Sequence, residues 1–282
     1  MQGNRVQSEL LLVAVVAFSC LAAIPAACQQ KPAGDAQKTS GQGVSAQAVR
    51  RLADGHPDLN GFWASGTGPD TPVGGFGPPD PNFRRGDNGA RARLADPNQP
   101  PYKPELLEKV RDLARNESKA DPAFFCKPGG VPRIGPPHAI VQAPGMPIVF
   151  LYQVIAGNTF RLVPTDGRPH DPEADPSYYG DAVGHWEGDT LVVDTTSFND
   201  DTWLGLDGWF HSSALHVVER ISREGDMLHY QATVEDPEVF TRPWTMNPRM
   251  AKATTELIVE SAPCIERDEE HIIEYDLKTR PQ

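Results

Sequence analysis

The sequence predicts an all-β fold, an antiparallel meander that closes into a barrel, with one helix in an insertion after the first strand. Three observations predict it. From residue 140 onward, short apolar runs separated by turn residues give three consecutive hairpin signals. Glycine (25) and proline (28) are frequent and spread along the chain, which suits short strands joined by tight turns and argues against a helical bundle. Convincing helical spacing occurs once, at Leu106, Leu107, Val110, Leu113 and Ala114, with Pro104 suited to a first turn. A long meander must bury one face, and closure removes the exposed edges that invite aggregation. An open sandwich is the competing architecture.

The elements follow in order. Arg5 precedes an apolar run over 10–24 broken only by Ser19, then Pro25, Ala26, Ala27 and Cys28, so 1–28 reads as an export signal. Cys28 is a candidate lipidation site, although Pro25 stands where a lipobox has a Leu-like residue. Residues 29–55 read as a polar, disordered tether. One domain is expected over 56–282, opening with a strand at Gly61-Phe62-Trp63, Trp63 being a large core anchor. Residues 66–120 form an insertion, irregular over 66–104 and helical after Pro104. The hairpins pair 146–154 with 159–163, 182–186 with 190–195, and 215–222 with 227–234. A further strand is expected at 255–260, and the tail beyond Cys264 adds an edge strand or frays.

Charge and cysteine usage narrow the function. A formal net charge of -12 disfavours nucleic acid, and no basic patch offsets it. Of four cysteines, Cys20 and Cys28 lie in or beside the signal, leaving Cys126 and Cys264, expected to be bridged in an oxidising compartment. The expected location is periplasmic or secreted, with membrane contact only through a lipid anchor at Cys28.

The Gly61-Phe62-Trp63 opening ahead of a meander is similar to the Gly-x-Trp opening of lipocalin-like (calycin) barrels. A broader resemblance is carried by Thr165-Asp166-Gly167-Arg168-Pro169-His170, by the run from Gly184 through Trp186-Glu187-Gly188-Asp189-Thr190-Leu191-Val192-Val193-Asp194-Thr195, by His211-Ser212 with Leu215-His216-Val217-Val218-Glu219-Arg220, and by Asp236-Pro237 with Thr241-Arg242-Pro243-Trp244. On these the chain resembles a large group of exported soil-bacterial proteins over most of 57–264. That resemblance implies no reaction and no catalytic residue.

Strand parity selects the first chemical candidate. In 215–222 the apolar face carries Leu215, Val217 and Ile221, and Glu219 shares it. A carboxylate there is either a general acid or base with a burial-raised pKa, or half of an ion pair with an arginine such as Arg168 or Arg242. His216, Val218 and Arg220 take the opposite face. His211 shares the parity of Glu219 just before the strand, beside Trp209-Phe210, and is its candidate partner.

The segment Asp166-Gly167-Arg168-Pro169-His170 gathers an acid, a guanidinium and an imidazole after a strand end, where barrels place function. Tyr179 and Asp181 add a stacking surface and a carboxylate to that rim, and Trp209 and Trp244 complete the candidate binding set. Glu187-Gly188-Asp189 reads as a hairpin tip with Trp186 in the barrel seam, and Asp194 as an outward, solvated residue. Nucleophile-elbow, phosphate-loop and His-Glu-x-x-His signatures are absent from the sequence. A metal site joining His170, His211 and Asp181 would have to be built from separate loops.

The expectation is a cofactor-free enzyme for a small, partly apolar molecule, working by hydrolysis, isomerisation or elimination. Glu219 and His211 would do acid/base work while Arg168 or His170 stabilises developing negative charge. The alternatives are a binding or carrier protein with the same interior, and a structural envelope protein.

Overall fold

Period-two burial sets the strands. In β8 (Met227–Glu235) every second side chain from Leu228 to Val234 is buried, and β7 (His216–Glu224) buries Val217, Glu219 and Ile221 while Arg220 faces water. The same alternation runs through β3 (Ile148–Val154), which buries Ile148, Phe150 and Tyr152. The computed structural model describes residues 50–65, 96–154, 157–261 and 264, all within one unit, Ser45–Gln282. The expected export signal, most of the tether and of the irregular insertion, and the tail beyond Cys264 lie outside the described residues. No described helix is long and apolar enough to cross a membrane.

The remaining strands are β1 (Gly61–Ser65), β2 (Ala139–Val141), β4 (Gly157–Val163), β5 (Asp181–Glu187), β6 (Thr190–Thr196), β9 (Trp244–Thr245) and β10 (Arg249–Thr254). All pairings are antiparallel, and the ladder runs β4-β3-β2-β1-β10-β8-β7-β6-β5 with β9 on β8. Two meanders, β1 to β4 and β5 to β8, are thus joined by β10, and the sheet curls into a nearly closed nine-strand barrel. This is the predicted all-β fold, with its helix between β1 and β2. Trp63, Phe150, Tyr152, Val163, Leu191, Val193, Ile221, Leu228 and Tyr230 fill the interior.

At the seam, β4 and β5 share no ladder. The Gly184 N–H donates to the Pro164 carbonyl at 2.8 Å. Glycine is required there, because a Cβ at 184 would stand 2.7 Å from Val163 Cγ1 and 3.1 Å from Thr165 Cγ2. A second glycine closes the helical insertion on the barrel. After a 3-10 turn at Pro104–Leu106, α1 (Leu107–Arg115) turns Val110 and Leu113 toward the core. Gly208 (φ +77°) lets the chain meet the helix backbone, where a Cβ would lie 2.4 Å from the Val110 carbonyl oxygen.

The expected bridge is formed between Cys126 and Cys264, across 138 positions of sequence. The last strand departs from expectation. Residues 255–260 form no strand, and Leu257 and Val259 are 67% and 59% exposed. The slot between β1 and β8 takes Arg249–Thr254 instead. Trp63, Leu228 and Tyr230 crowd that slot, so a small inward side chain, Ala251, fits where a Leu-Ile-Val run would overfill. Trp186 is part-buried at the end of β5, stacked on His56 with ring centroids 4.7 Å apart, and the Glu187–Asp189 tip is held by Arg51, which makes two 2.8 Å bonds to Asp189.

Candidate functional site

Glu219 is on the inner face, as parity predicts, and fully buried (0% exposed). Its partner is neither Arg168 nor Arg242. Arg161 of β4 reaches across the barrel and binds it in a two-pronged pair, Nη1 to Oε1 at 3.0 Å and Nη2 to Oε2 at 2.6 Å. The Tyr230 hydroxyl donates to Oε1 at 2.9 Å, and Arg161 also donates to Thr195 Oγ1 at 3.1 Å and Tyr152 Oη at 3.3 Å. Burial opposes the charge on Arg161, but Glu219 and Tyr152 outweigh it and hold the guanidinium protonated. Burial likewise pushes both tyrosine hydroxyls up. The ion-pair reading of Glu219 therefore has its partner, and the Glu219 oxygens are occupied.

Arg161 was findable by the argument that found Glu219. It shares parity with Val163, so an arginine on the inner face was implied wherever Val163 was buried. Arg168 and Arg242 are exposed. Arg168 pairs with its neighbour Asp166, Nη2 to Oδ2 at 2.6 Å, which holds that carboxyl down at about 2, and Arg242 donates to the Pro243 carbonyl.

His211 does not meet Glu219. It is buried, with Nε2 on Thr202 Oγ1 at 2.6 Å and Nδ1 on the Ser212 carbonyl at 2.9 Å. Burial lowers its pKa against the bond to Ser212, which favours the neutral ring. Trp209 and Trp244 are core residues in edge-to-face contact, centroids 5.3 Å apart, and Trp244 Nε1 donates to Asn98.

The structure does gather the other half of the candidate set. His170 lies between two carboxylates, Nδ1 at 2.8 Å from Asp181 Oδ2 and Nε2 at 3.0 Å from Asp194 Oδ1. Asp194 Oδ1 also takes His216 Nε2 at 2.9 Å, and His216 Nδ1 stands 3.5 Å from Glu235. Asp194 thus does more than face solvent: it ties the loop before β5 to β6 and β7. Partial burial pulls the His170 pKa down, but the bonds to Asp181 and Asp194 outweigh it and the net shift is upward. Among the described residues, no group of three or more His, Cys, Asp or Glu side chains is arranged to hold a metal ion.

Beside this chain of acids and imidazoles opens a cleft of about 320 Å³ between β4 and the start of β5, lined by Phe160, Arg161, Leu162, Pro164, Tyr179, Gly180, Asp181 and Ala182. It occupies the gap in the ladder. Phe160 and Leu162, on the outer face of β4, are 61% and 50% exposed. Tyr179 is half-buried, bonded to the Thr159 side chain, and burial raises its hydroxyl pKa. Asp181 connects cleft and rim, since Oδ2 accepts from His170 and from the Asp171 N–H at 3.1 Å. No family model, curated protein or solved structure matches the chain.

Proposed function

We propose that the protein binds a small, partly apolar molecule in the cleft between β4 and β5, and that it works outside the cytoplasm. The observation that carries this reading is the cleft itself. A gap in an otherwise continuous ladder is walled by Phe160, Leu162, Pro164 and Tyr179 and edged by Asp181. Large apolar side chains exposed around a concavity favour cover by a ligand, and the few polar groups beside them would orient it. The filled interior, with Glu219 and Arg161 bonded to each other, supports a site at the seam over one in the barrel centre. The Cys126–Cys264 bridge supports an oxidising compartment, and a lipid anchor at Cys28 would hold the domain at a membrane surface.

Binding is tested with the neutral apolar fluorophore N-phenyl-1-naphthylamine. Saturable binding is expected, weakened at least tenfold in the doubly substituted Phe160→Ser/Leu162→Ser protein. Equal binding by both proteins would remove the cleft as the site. Native mass spectrometry of the full chain would then identify any retained molecule.

A second reading is favoured by His170. An imidazole between two carboxylates is a general acid in waiting, and Asp181 places it at the cleft edge. Acid-assisted hydrolysis, isomerisation or elimination of the bound molecule follows on that reading. A His170→Ala variant that keeps binding but loses turnover of the retained molecule is the expected sign, and unchanged turnover would reject it.

A further inference from the structure

We propose that the occupant of the seam cleft is an organic cation, an amine or quaternary ammonium with an apolar body, whose charged head lies against the Asp181 carboxylate. The inference rests on the cleft being a binding site and adds the chemical class of its ligand.

The gap follows from the strand count. Eight antiparallel pairings lead from β4 round to β5, so strand direction alternates and the two edges that meet at the seam run the same way. An antiparallel ladder cannot form between such edges, and the bond from Gly184 to Pro164 pins them at one point. Parallel banks also decide what faces what. Asp181 stands three positions before Gly184 and Leu162 two before Pro164, so the two lie side by side across the gap. Burial alternation turns both outward: Ala182 and Gly184 are the inner residues of β5, as Arg161 and Val163 are of β4. The Asp181 side chain is 27% exposed, so a molecule lying over Phe160 and Leu162 can reach it.

Charge complementarity selects a cation. Arg161, the other charged residue of the wall, points inward and is neutralised by Glu219. Both bonds that Asp181 accepts go to Oδ2, from His170 and from the Asp171 N–H, which leaves Oδ1 open among the described residues. From Asp181 the contacts run through His170, Asp194 and His216 to Glu235, three carboxylates against two imidazoles. A negative charge is therefore left over even with both rings protonated. The connection over 164–180 adds Asp166, Asp171, Glu173 and Asp175 against Arg168. A hydrogen bond from a cation to a carboxylate is stronger than a neutral one. The exposed Phe160 ring and the Tyr179 ring beside it offer aromatic faces, which attract a cation as well as an apolar body. An anion would meet the surplus charge as repulsion. A bare metal ion would lose its water against Phe160, Leu162 and Pro164 with nothing to replace it.

Three probes of matched shape separate the classes: benzyltrimethylammonium, its uncharged isostere neopentylbenzene, and the anion phenylmethanesulfonate. Each is titrated into the full chain loaded with N-phenyl-1-naphthylamine, and displacement of the fluorophore gives its affinity. The ammonium is expected to bind about tenfold more tightly than neopentylbenzene, and the sulfonate more weakly than either. In Asp181→Asn the ratio of ammonium to hydrocarbon affinity is expected to fall to about one, a readout that loss of folded protein does not move. Equal binding of ammonium and hydrocarbon by the unsubstituted chain would overturn the ligand class and leave the cleft as an apolar site. Tightest binding by the sulfonate would overturn it in favour of an anion, and a preference that survives Asp181→Asn would overturn the contact with Asp181. If no probe displaces the fluorophore and the doubly substituted Phe160→Ser/Leu162→Ser protein holds it as well as the unsubstituted chain, the binding reading falls together with this one.

Discussion

Arg161 and Glu219, 58 positions apart in sequence, form a fully buried two-pronged ion pair inside the barrel. Every donor and acceptor around them that bonds to the pair comes from a different strand: Tyr152 from β3, Thr195 from β6 and Tyr230 from β8. The pair therefore links both meanders through the interior. Removing one partner leaves the other charged and buried, and such changes cost about 3–5 kcal/mol. Glu219→Leu is expected to lower unfolding free energy by that amount in urea titrations, while the doubly substituted Arg161→Met/Glu219→Leu protein recovers most of it. A single substitution costing under about 1 kcal/mol would show that the pair does not bridge the core.

Gly184 is the residue on which seam closure depends. Gly184→Ala puts a methyl group 2.7 Å from Val163 Cγ1, and overpacking of this kind costs about 1–3 kcal/mol. Amide exchange of Gly184 itself is the sharper readout, because its N–H bonds to Pro164 across the seam. Exchange is expected to accelerate in Val163→Ala/Gly184→Ala less than in Gly184→Ala alone.

His170 and His211 drive pH dependence in opposite directions. The His170 pKa is raised above its ordinary 6.5 in the fold, so its stabilising effect is complete below about pH 6.5 and is lost as pH rises through the raised value. The His211 pKa is lowered, so its contribution is present above 6.5 and is lost as pH falls through the lowered value. Asp181, Asp171, Asp194, His216 and Glu235 surround or extend the His170 contacts, and Arg168 lies close enough to feel Asp181. Unfolding free energies measured from pH 5 to 9 should show a smaller alkaline loss in His170→Ala and a smaller acid loss in His211→Gln. An alkaline limb identical to that of the unsubstituted chain would sink the assignment to His170.

Much of this was legible in the sequence, and for a local reason. Period-two alternation is a property of single strands, so the hairpins and the inner placement of Glu219 could be read without knowing what lies opposite. The same alternation holds Arg161 on the inner face with Val163, although the segment's apolar hairpin signal does not itself announce an inward charge. Asp194 shows the limit. Its outward orientation was legible, but its two imidazole partners come from a loop before β5 and from β7, and only the folded order of strands brings them together. The strand at Arg249–Thr254 was missed since its inner positions are Arg249 and Ala251, while the Leu257-Ile258-Val259 run that imitates a strand is held outside the ladder by Asn158 and Gln153.

Reduction of the Cys126–Cys264 bridge is expected to be costly. It closes a loop of 138 positions, for which the chain-entropy model gives about 4–5 kcal/mol. Denaturant midpoints with and without dithiothreitol measure it, and the Cys126→Ser/Cys264→Ser protein should match the reduced chain. Equal midpoints would mean that the bridge constrains little in the unfolded state.

The slot held by β10 has a kinetic meaning. Its neighbours, β1 and β8, are separated by more than 160 positions of chain, and neither can complete its pairing until residues 249–254 arrive. Contacts so distant in sequence make assembly slow, because the entropy of bringing them together is spent before the ladder repays it. A growing chain would hold the β1 edge open from residue 65 until residues 249–254 arrive, while the β8 edge waits only from residue 235. Truncation before residue 249 should therefore yield an aggregating species and no smaller barrel. For this molecule the short, small-residued strand near the end decides when folding can finish.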